Sequence, residues 1–202
     1  MQQYLQLVVK SFQTSIERRG RCVVVAFTSS QSGEGVSFVS ESFGAELARR
    51  LRKPTLIVDA RRLQNLNALD CIRMPQCCYE TDIPNLWLLP YEAQEHSRKQ
   101  LWAWDLQDSQ DEISEFGLGN VQALRLAFDY VLIDCPALSV SDEAALLASS
   151  ADGVVLVVEA ERTRRTQIEE ATRTLEMANA KILGMVLNKQ RFSVPRWISK
   201  WF

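Results

Sequence analysis

The segment SSQSGEGVSF, residues 29–38, joins an apolar run to a segment with helical spacing. The run before it, CVVVAF (22–27), is typical of a buried strand, and after it apolar residues recur four apart from Val39 to Leu51. Glycines in such a turn let the backbone approach an anion. The N-terminus of the following helix adds free N–H groups and the positive end of its dipole. The segment therefore predicts a phosphate-binding loop between a strand and a helix.

Further apolar runs alternate with helical patterns along the rest of the chain. The runs are continuous rather than alternating, which is typical of parallel strands that are covered on both faces. This order predicts an α/β fold, a doubly wound and mostly parallel sheet flanked by helices, like that of P-loop NTPases. The predicted strands are 22–27, 55–60, 85–90, 130–135, 153–160 and 181–188, and the predicted helices are 38–51, 142–151 and 165–179.

The 202 residues, 47% of them apolar, suffice for one large α/β domain, which we place at 21–188. Residues 1–20 have apolar side chains at helical spacing and predict an amphipathic N-terminal helix. The tail 189–202, KQRFSVPRWISKWF, is basic and aromatic. It either lies in a membrane interface or on a membrane-bound partner, or it folds back as a packing helix. The polar region 91–120 is assigned no element and is a candidate mobile or partner-facing insertion.

Charge and composition restrict the function classes. A formal net charge of -2 gives no global reason to expect nucleic-acid binding. No apolar run reaches the length of a membrane span, and no signal peptide is expected. The odd number of cysteines, 5, fits a reducing compartment. We expect a cytoplasmic protein, with contact at the inner face of the cytoplasmic membrane if the tail is an anchor.

Two acids follow apolar strands at positions suited to a metal. Asp59 ends the second predicted strand and Asp134 the fourth, while Ser37 lies in the first turn of the predicted helix. Ligands of open parallel sheets bind beyond the carboxyl ends of the strands. Two carboxylates and a hydroxyl there suit an octahedral Mg²⁺ that keeps several waters.

Several longer stretches together resemble the cytoplasmic ATPase domain of bacterial tyrosine kinases. These kinases (BY-kinases) are partners of polysaccharide co-polymerases in capsule and exopolysaccharide export, and they belong to the deviant-Walker P-loop ATPases. The resemblance spans Arg21 to Lys189. The stretches are TSSQSGEGVSF, GAELAR, TLIVDARR, FDYVLIDCPAL, SDEAALLASSADGVVLVVEA and KILGMVLNK.

The resemblance implies ATP or ADP with Mg²⁺ as ligands and assigns roles to individual residues. Asp134 corresponds to the Walker B acid, and Asp59 to the first acid of the second Walker motif of these kinases. Asn188 lies where relatives place a base-contacting asparagine, although an asparagine that only caps a strand is equally compatible. Gly33, Glu34, Gly35 and Ser37 correspond to the Walker A loop, with Ser37 as its Mg²⁺ ligand.

The loop departs from the P-loop pattern at its most important position. Laid on residues 30–37, the pattern G-x-x-x-x-G-K-[ST] matches Gly35 and Ser37, but Val36 replaces the lysine. Gln31 shows that the signature lysine of the partitioning ATPases is missing too. Positive charge beside the transferring phosphoryl group is worth about 100-fold or more in rate. Catalysis should therefore be severely weakened.

Two further departures concern the acceptor chemistry. Arg61 stands where the family has a second aspartate, and it either supplies phosphate-facing charge or is a surface or ion-paired arginine. The active family ends in a run of tyrosines that neighbouring subunits phosphorylate, whereas this chain has no tyrosine after Tyr130. The autophosphorylation substrate is therefore absent from this sequence.

Three functions follow from these features. The first is a catalytically impaired tyrosine-kinase-like protein, a pseudokinase that acts as the cytoplasmic regulatory partner of a membrane polysaccharide co-polymerase or export component. The second is a residual Mg-ATP-binding ATPase or nucleotide switch of the same family. The third is a partitioning-type ATPase that dimerises with ATP. A homo-oligomer is compatible with each of them.

Overall fold

The computed structural model describes residues 22–65, 78–89 and 118–190. Within these ranges the chain forms seven strands in one sheet and five helices. The predicted N-terminal helix (1–20), residues 91–117 and the tail beyond Gln190 lie outside the described residues. The strands are β1 (Val23–Ser29), β2 (Thr55–Asp59), β3 (Tyr79–Glu80), β4 (Leu86–Leu89), β5 (Tyr130–Asp134), β6 (Gly153–Glu159) and β7 (Ile182–Asn188). The helices are α1 (Val36–Leu51), α2 (Ala60–Asn65), α3 (Leu118–Ala127), α4 (Glu143–Ser150) and α5 (Arg165–Met177).

The strand order is β3-β4-β2-β5-β1-β6-β7. All neighbouring pairs are parallel except β3 and β4, which are antiparallel. The predicted doubly wound, mostly parallel α/β fold is confirmed. Each of the six predicted strands is present, with ends within two residues of the prediction.

Three elements were not predicted. β3 has two residues, too few to show a pattern, and pairs only at the edge of the sheet. α2 begins at Ala60, directly after β2, so the predicted second strand ran one residue into a helix. α3 contains Gly119 and Asn120, residues unfavourable inside helices. Its buried Val121 and Leu124 lie three apart on the face that packs on the sheet.

A separate apolar core covers each face of the sheet. On one face, α1 buries Phe43 and Leu47 against β1 and β5, and the rings of Phe27 and Phe43 have centroids 5.5 Å apart. A Cβ at Gly44 would lie 2.8 Å from Ile57 Cδ1, so the absence of a side chain there lets α1 approach the sheet closely. On the other face, α3, α4 and α5 pack Leu124, Leu147 and Leu175 against the sheet.

The sheet brings the predicted site residues to one edge. β1 lies between β5 and β6, and its carboxyl end leads directly into the loop before α1. β2 and β5 pair so that Asp59 is opposite Asp134. The turn after β5 is fixed to β1, because Leu138 N–H donates to Ser29 O at 2.9 Å. The loop and both acids therefore lie together at the carboxyl edge.

Candidate phosphate-binding site

The loop between β1 and α1 has a backbone that only glycine adopts easily. Gly33 has φ 84° and Gly35 has φ 91°, both in the left-handed region. A Cβ at Gly35 would collide with the side-chain amide of Asn188, whereas a Cβ at Gly33 would meet nothing within 4 Å. Gly35 is the N-cap of α1, whose first turn contains no acidic residue. The N-terminal N–H groups and positive dipole end of the 16-residue helix α1 thus begin at the loop.

The side chain of Glu34 lies behind the loop and supports it. Glu34 is 2% exposed. Its Oε2 accepts from Ser30 Oγ at 3.1 Å and from Gln31 N–H at 3.0 Å, and its Oε1 accepts from the hydroxyl of Thr163. A buried carboxylate with three donors is well satisfied. Any contact between Glu34 and a ligand would therefore fall to its backbone rather than to its carboxylate.

The residue in the lysine position is apolar and supplies no charge to the loop. Val36 is partly buried and packs against the apolar core under α1. A different lysine, which the sequence placed in the tail, reaches the loop instead. Lys189 Nζ donates to Gly33 O at 2.5 Å and pairs with Glu159 Oε2 at 3.1 Å. No local pattern in the sequence signals this contact, because it joins residues 156 positions apart and depends on a left-handed residue after β7.

Asn188 also contacts the loop rather than merely ending β7. It is buried, and its Nδ2 donates to Glu34 O at 2.9 Å. The predicted contact of Asn188 with a base stays a prediction. The structure shows that one of its amide hydrogens is directed at the loop backbone.

The pKa of Asp134 depends on Ser37 and on the other predicted acid, Asp59. Burial raises the pKa of Asp134 from 3.8 to about 6, a hydrogen bond with Ser37 lowers it, and the charges of Asp59 and Glu41 raise it further. The charge of Arg61 lowers the same pKa slightly. The carboxylate of Asp134 is thus incompletely compensated, and additional positive charge at this edge would stabilise its ionised form.

Arg61 is held on the first of these acids. Its Nε donates to Asp59 Oδ1 at 2.9 Å and its Nη2 to Asp59 Oδ2 at 2.5 Å, in the two-point geometry typical of arginine and carboxylate. The backbone N–H of Arg61 donates to the same carboxylate at 2.9 Å. Of the alternatives for Arg61, the ion-paired arginine is the one that the structure shows.

The arrangement suits Mg²⁺ only if the ion arrives with a phosphate. Within the described ranges, no group of three or more His, Cys, Asp or Glu side chains could hold a metal. Mg²⁺ bound with a nucleotide needs few protein ligands, since waters and phosphate oxygens complete its octahedron. The structure places Ser37 and Asp134 in hydrogen-bond contact, whereas Asp59 forms an ion pair with Arg61. The residues present therefore fit Mg²⁺ with Ser37 and Asp134 as its nearest groups.

Comparison with known proteins gives relatives over most of the chain. No family model matches. The tyrosine-protein kinase CpsD of Streptococcus agalactiae is 29% identical over 204 residues, which cover 93% of this chain and 84% of that protein. The succinoglycan biosynthesis transport protein ExoP of Rhizobium meliloti is 30% identical over 182 residues, which cover 82% of this chain and 22% of that protein.

Solved structures resemble the fold. The VpsO kinase domain superposes with a TM-score of 0.65 at 19% identity, covering 93% of this chain and 95% of that chain. The MinD cell division protein of Aquifex aeolicus does so with a TM-score of 0.60 at 20% identity, covering 89% and 73%. These likenesses show the fold. In the part of the chain that the structure describes, no helix is both long and apolar enough to cross a membrane.

Proposed function

From the homology of this chain to bacterial tyrosine-protein kinases, we propose that it is a catalytically impaired, kinase-like protein that retains nucleotide binding. One observation carries the proposal. Val36, in the position of the P-loop lysine, is partly buried against the core and carries no charge, while the loop, Ser37 and Asp134 remain assembled. The lysine needed for phosphoryl transfer is missing, whereas the groups that would bind a nucleotide are present.

The loss of phosphoryl transfer follows from the missing positive charge beside the transferring group. The transferring group develops negative charge on its outer oxygens, and a lysine beside them contributes much of the stabilisation. The two bonds from the Arg61 guanidinium to Asp59 support a role for Arg61 other than that of the missing lysine. An arginine in place of the second acid also cannot accept the proton of an acceptor hydroxyl.

Retention of binding follows from the loop. Backbone N–H groups at a glycine-rich turn and a helix N-terminus bind a diphosphate without any side chain. Burying an acid such as Asp134 costs stability unless a cation offsets it. A protein with no use for the site would not need that acid, so its presence beside Ser37 supports Mg-nucleotide as the ligand.

We place this activity in capsule or exopolysaccharide production. Relatives carry the names of tyrosine-protein kinases and of a succinoglycan biosynthesis transport protein. A kinase-like protein that binds but does not transfer would act as a regulatory partner of a membrane polysaccharide co-polymerase or export component. Its place of action would be the cytoplasmic face of the membrane.

Thermal unfolding with and without Mg-ATP tests the proposal. A ligand present at a hundredfold excess over its Kd stabilises the native state by about 2.7 kcal/mol, so Tm should rise clearly. Asp134→Ala should abolish the rise. Asp129→Ala should keep it, because Asp129 is exposed and pairs only loosely with Lys53, at 3.8 Å.

Incubation with radiolabelled ATP tests the other half of the proposal. No label should enter the protein or a tyrosine-containing acceptor peptide. An unchanged Tm at saturating nucleotide would show that the loop is only a turn, and rapid labelling would show a working kinase.

A further inference from the structure

We infer that Asn188 and Lys189 form a clamp that holds the phosphate loop ready for a diphosphate in the absence of a loop lysine. This inference rests on the proposed nucleotide binding and assigns two positioning residues to it. Neither residue lies in the loop. Both come from the end of β7, and they bind two successive carbonyls of the loop, Gly33 O and Glu34 O.

The geometry of the peptide group explains the effect on the loop. The peptides of the described chain are trans, so each carbonyl points opposite to the N–H of the next residue. When Lys189 holds the carbonyl of Gly33 and Asn188 that of Glu34, the N–H groups of Glu34 and Gly35 are directed away from β7. Gly33 and Gly35 have positive φ on either side of Glu34, an alternation that makes successive N–H groups converge as an anion-binding nest.

The chain conformation at the end of β7 brings both side chains to the loop. Successive side chains of a strand point to opposite faces of the sheet. Lys189 has φ 56°, in the left-handed region, which breaks this alternation directly after Asn188. The left-handed region is unfavourable for residues other than glycine and asparagine. Lys189 therefore holds a costly conformation that serves its contact with the loop.

Glu159 fixes the ammonium in place. Its Oε2 lies 3.1 Å from Lys189 Nζ and 3.4 Å from Arg162 Nη1, so two cations share one carboxylate. The Glu159 side chain is 14% exposed and the Lys189 side chain 43% exposed, so the pair lies partly in solvent. The carboxylate of Glu34 is bonded to Ser30 and to Thr163, and these bonds also restrict the loop. The clamp thus acts on a backbone that further hydrogen bonds hold in place.

Calorimetric titration with inorganic diphosphate and with ADP measures the clamp's effect on binding. Lys189→Met should weaken both ligands about tenfold or more, since the N–H groups would have to be ordered on binding. Lys189→Arg should restore most of the affinity, because it keeps a cationic donor. Lys181→Met is the matched control: Lys181 is an exposed lysine just before β7 and should leave affinity unchanged.

A second measurement needs no ligand. Nitrogen-15 relaxation should show rigid amides at Gly33, Glu34 and Gly35 in the unmodified protein, with order parameters of about 0.85, and values falling toward about 0.6 in Lys189→Met and in Asn188→Ala. Lys189→Arg should keep them rigid. Loop amides that stay equally rigid in both variants would overturn the clamp.

The two readouts separate the two proposals. If the unmodified protein binds neither diphosphate nor ADP, nucleotide binding fails, while loosening of the loop in Lys189→Met still supports the clamp. If the unmodified protein binds both ligands and Lys189→Met binds them equally well, the clamp is wrong and the proposed function stands.

Discussion

Asp134→Asn should make the protein more stable at neutral pH, although it removes an acid from the candidate site. Burial, with the charges of Asp59 and Glu41, raises the pKa of Asp134 from 3.8 to about 6. The unfolded chain therefore loses its proton near pH 4, while the folded chain keeps it to about pH 6. Between these values the native state binds more protons, so the stability contributed by this group falls as pH rises.

The size of the effect follows from the shift. Each pKa unit corresponds to about 1.4 kcal/mol, so the cost of ionised Asp134 is about 2–3 kcal/mol once its partial exposure to solvent is allowed for. Below about pH 4 the carboxyl is neutral in both states, and Asn should then differ little from Asp. Asn also keeps an oxygen that can accept from Ser37.

Urea unfolding across the pH range measures this difference. The gap in unfolding free energy between Asp134→Asn and the unmodified protein should open between about pH 4 and pH 6 and stay constant above. Asp129→Asn is the control, since exposed Asp129 should shift stability by less than about 0.5 kcal/mol. A destabilised Asp134→Asn at neutral pH, or a gap that does not change with pH, would refute the electrostatic reasoning.

Three other substitutions test separate parts of the site. Gly35→Ala should lower the free energy of unfolding in urea by about 2 kcal/mol or more, because Gly35 has a positive φ and its Cβ would collide with Asn188. Gly184→Ala should be nearly neutral, since a Cβ there meets nothing within 4 Å. Equal effects of the two substitutions would contradict the loop geometry. Arg61→Asp should strengthen Mg²⁺ binding in calorimetry in the presence of ADP, because it frees Asp59 and adds an acid. Unchanged binding would show that the ion pair does not compete with the metal. Val36→Lys should raise ATP affinity about tenfold or more, with a modest loss of core packing, and an unaltered Kd would mean that the loop does not bind the phosphates.

The fold could be predicted because its central strands are buried on both faces. Such strands are continuous apolar runs that stand out from the rest of the sequence, as in β1 and β6. β3 could not be predicted, since its two residues are ordered by pairing with β4 rather than by their own pattern. The boundary between β2 and α2 could not be predicted, because the strand ends at Asp59 and the helix begins at the next residue, Ala60, with no turn between the two elements.

The site could be predicted only where it depends on local sequence. The glycine loop and the acids Asp59 and Asp134 are positioned by the ends of parallel strands, a rule that needs only the order of strands and helices along the chain. The contact of Lys189 with Gly33 joins residues 156 positions apart and depends on a left-handed residue after β7. Such contacts arise from tertiary packing. Val36 is the opposite case: its sequence position suggests a ligand contact, whereas its partly buried side chain packs against the core.

Titration of the purified protein with Mg-ATP in a calorimeter tests whether the site binds nucleotide without phosphoryl transfer, because the heat reports binding and turnover in one experiment. A site that binds nucleotide without transfer should give a saturating binding isotherm with a micromolar Kd and no continuing heat after each injection. Absence of binding heat at millimolar ATP would contradict the claim that the loop still binds nucleotide. Sustained heat from turnover would contradict the claim that the site has lost phosphoryl transfer.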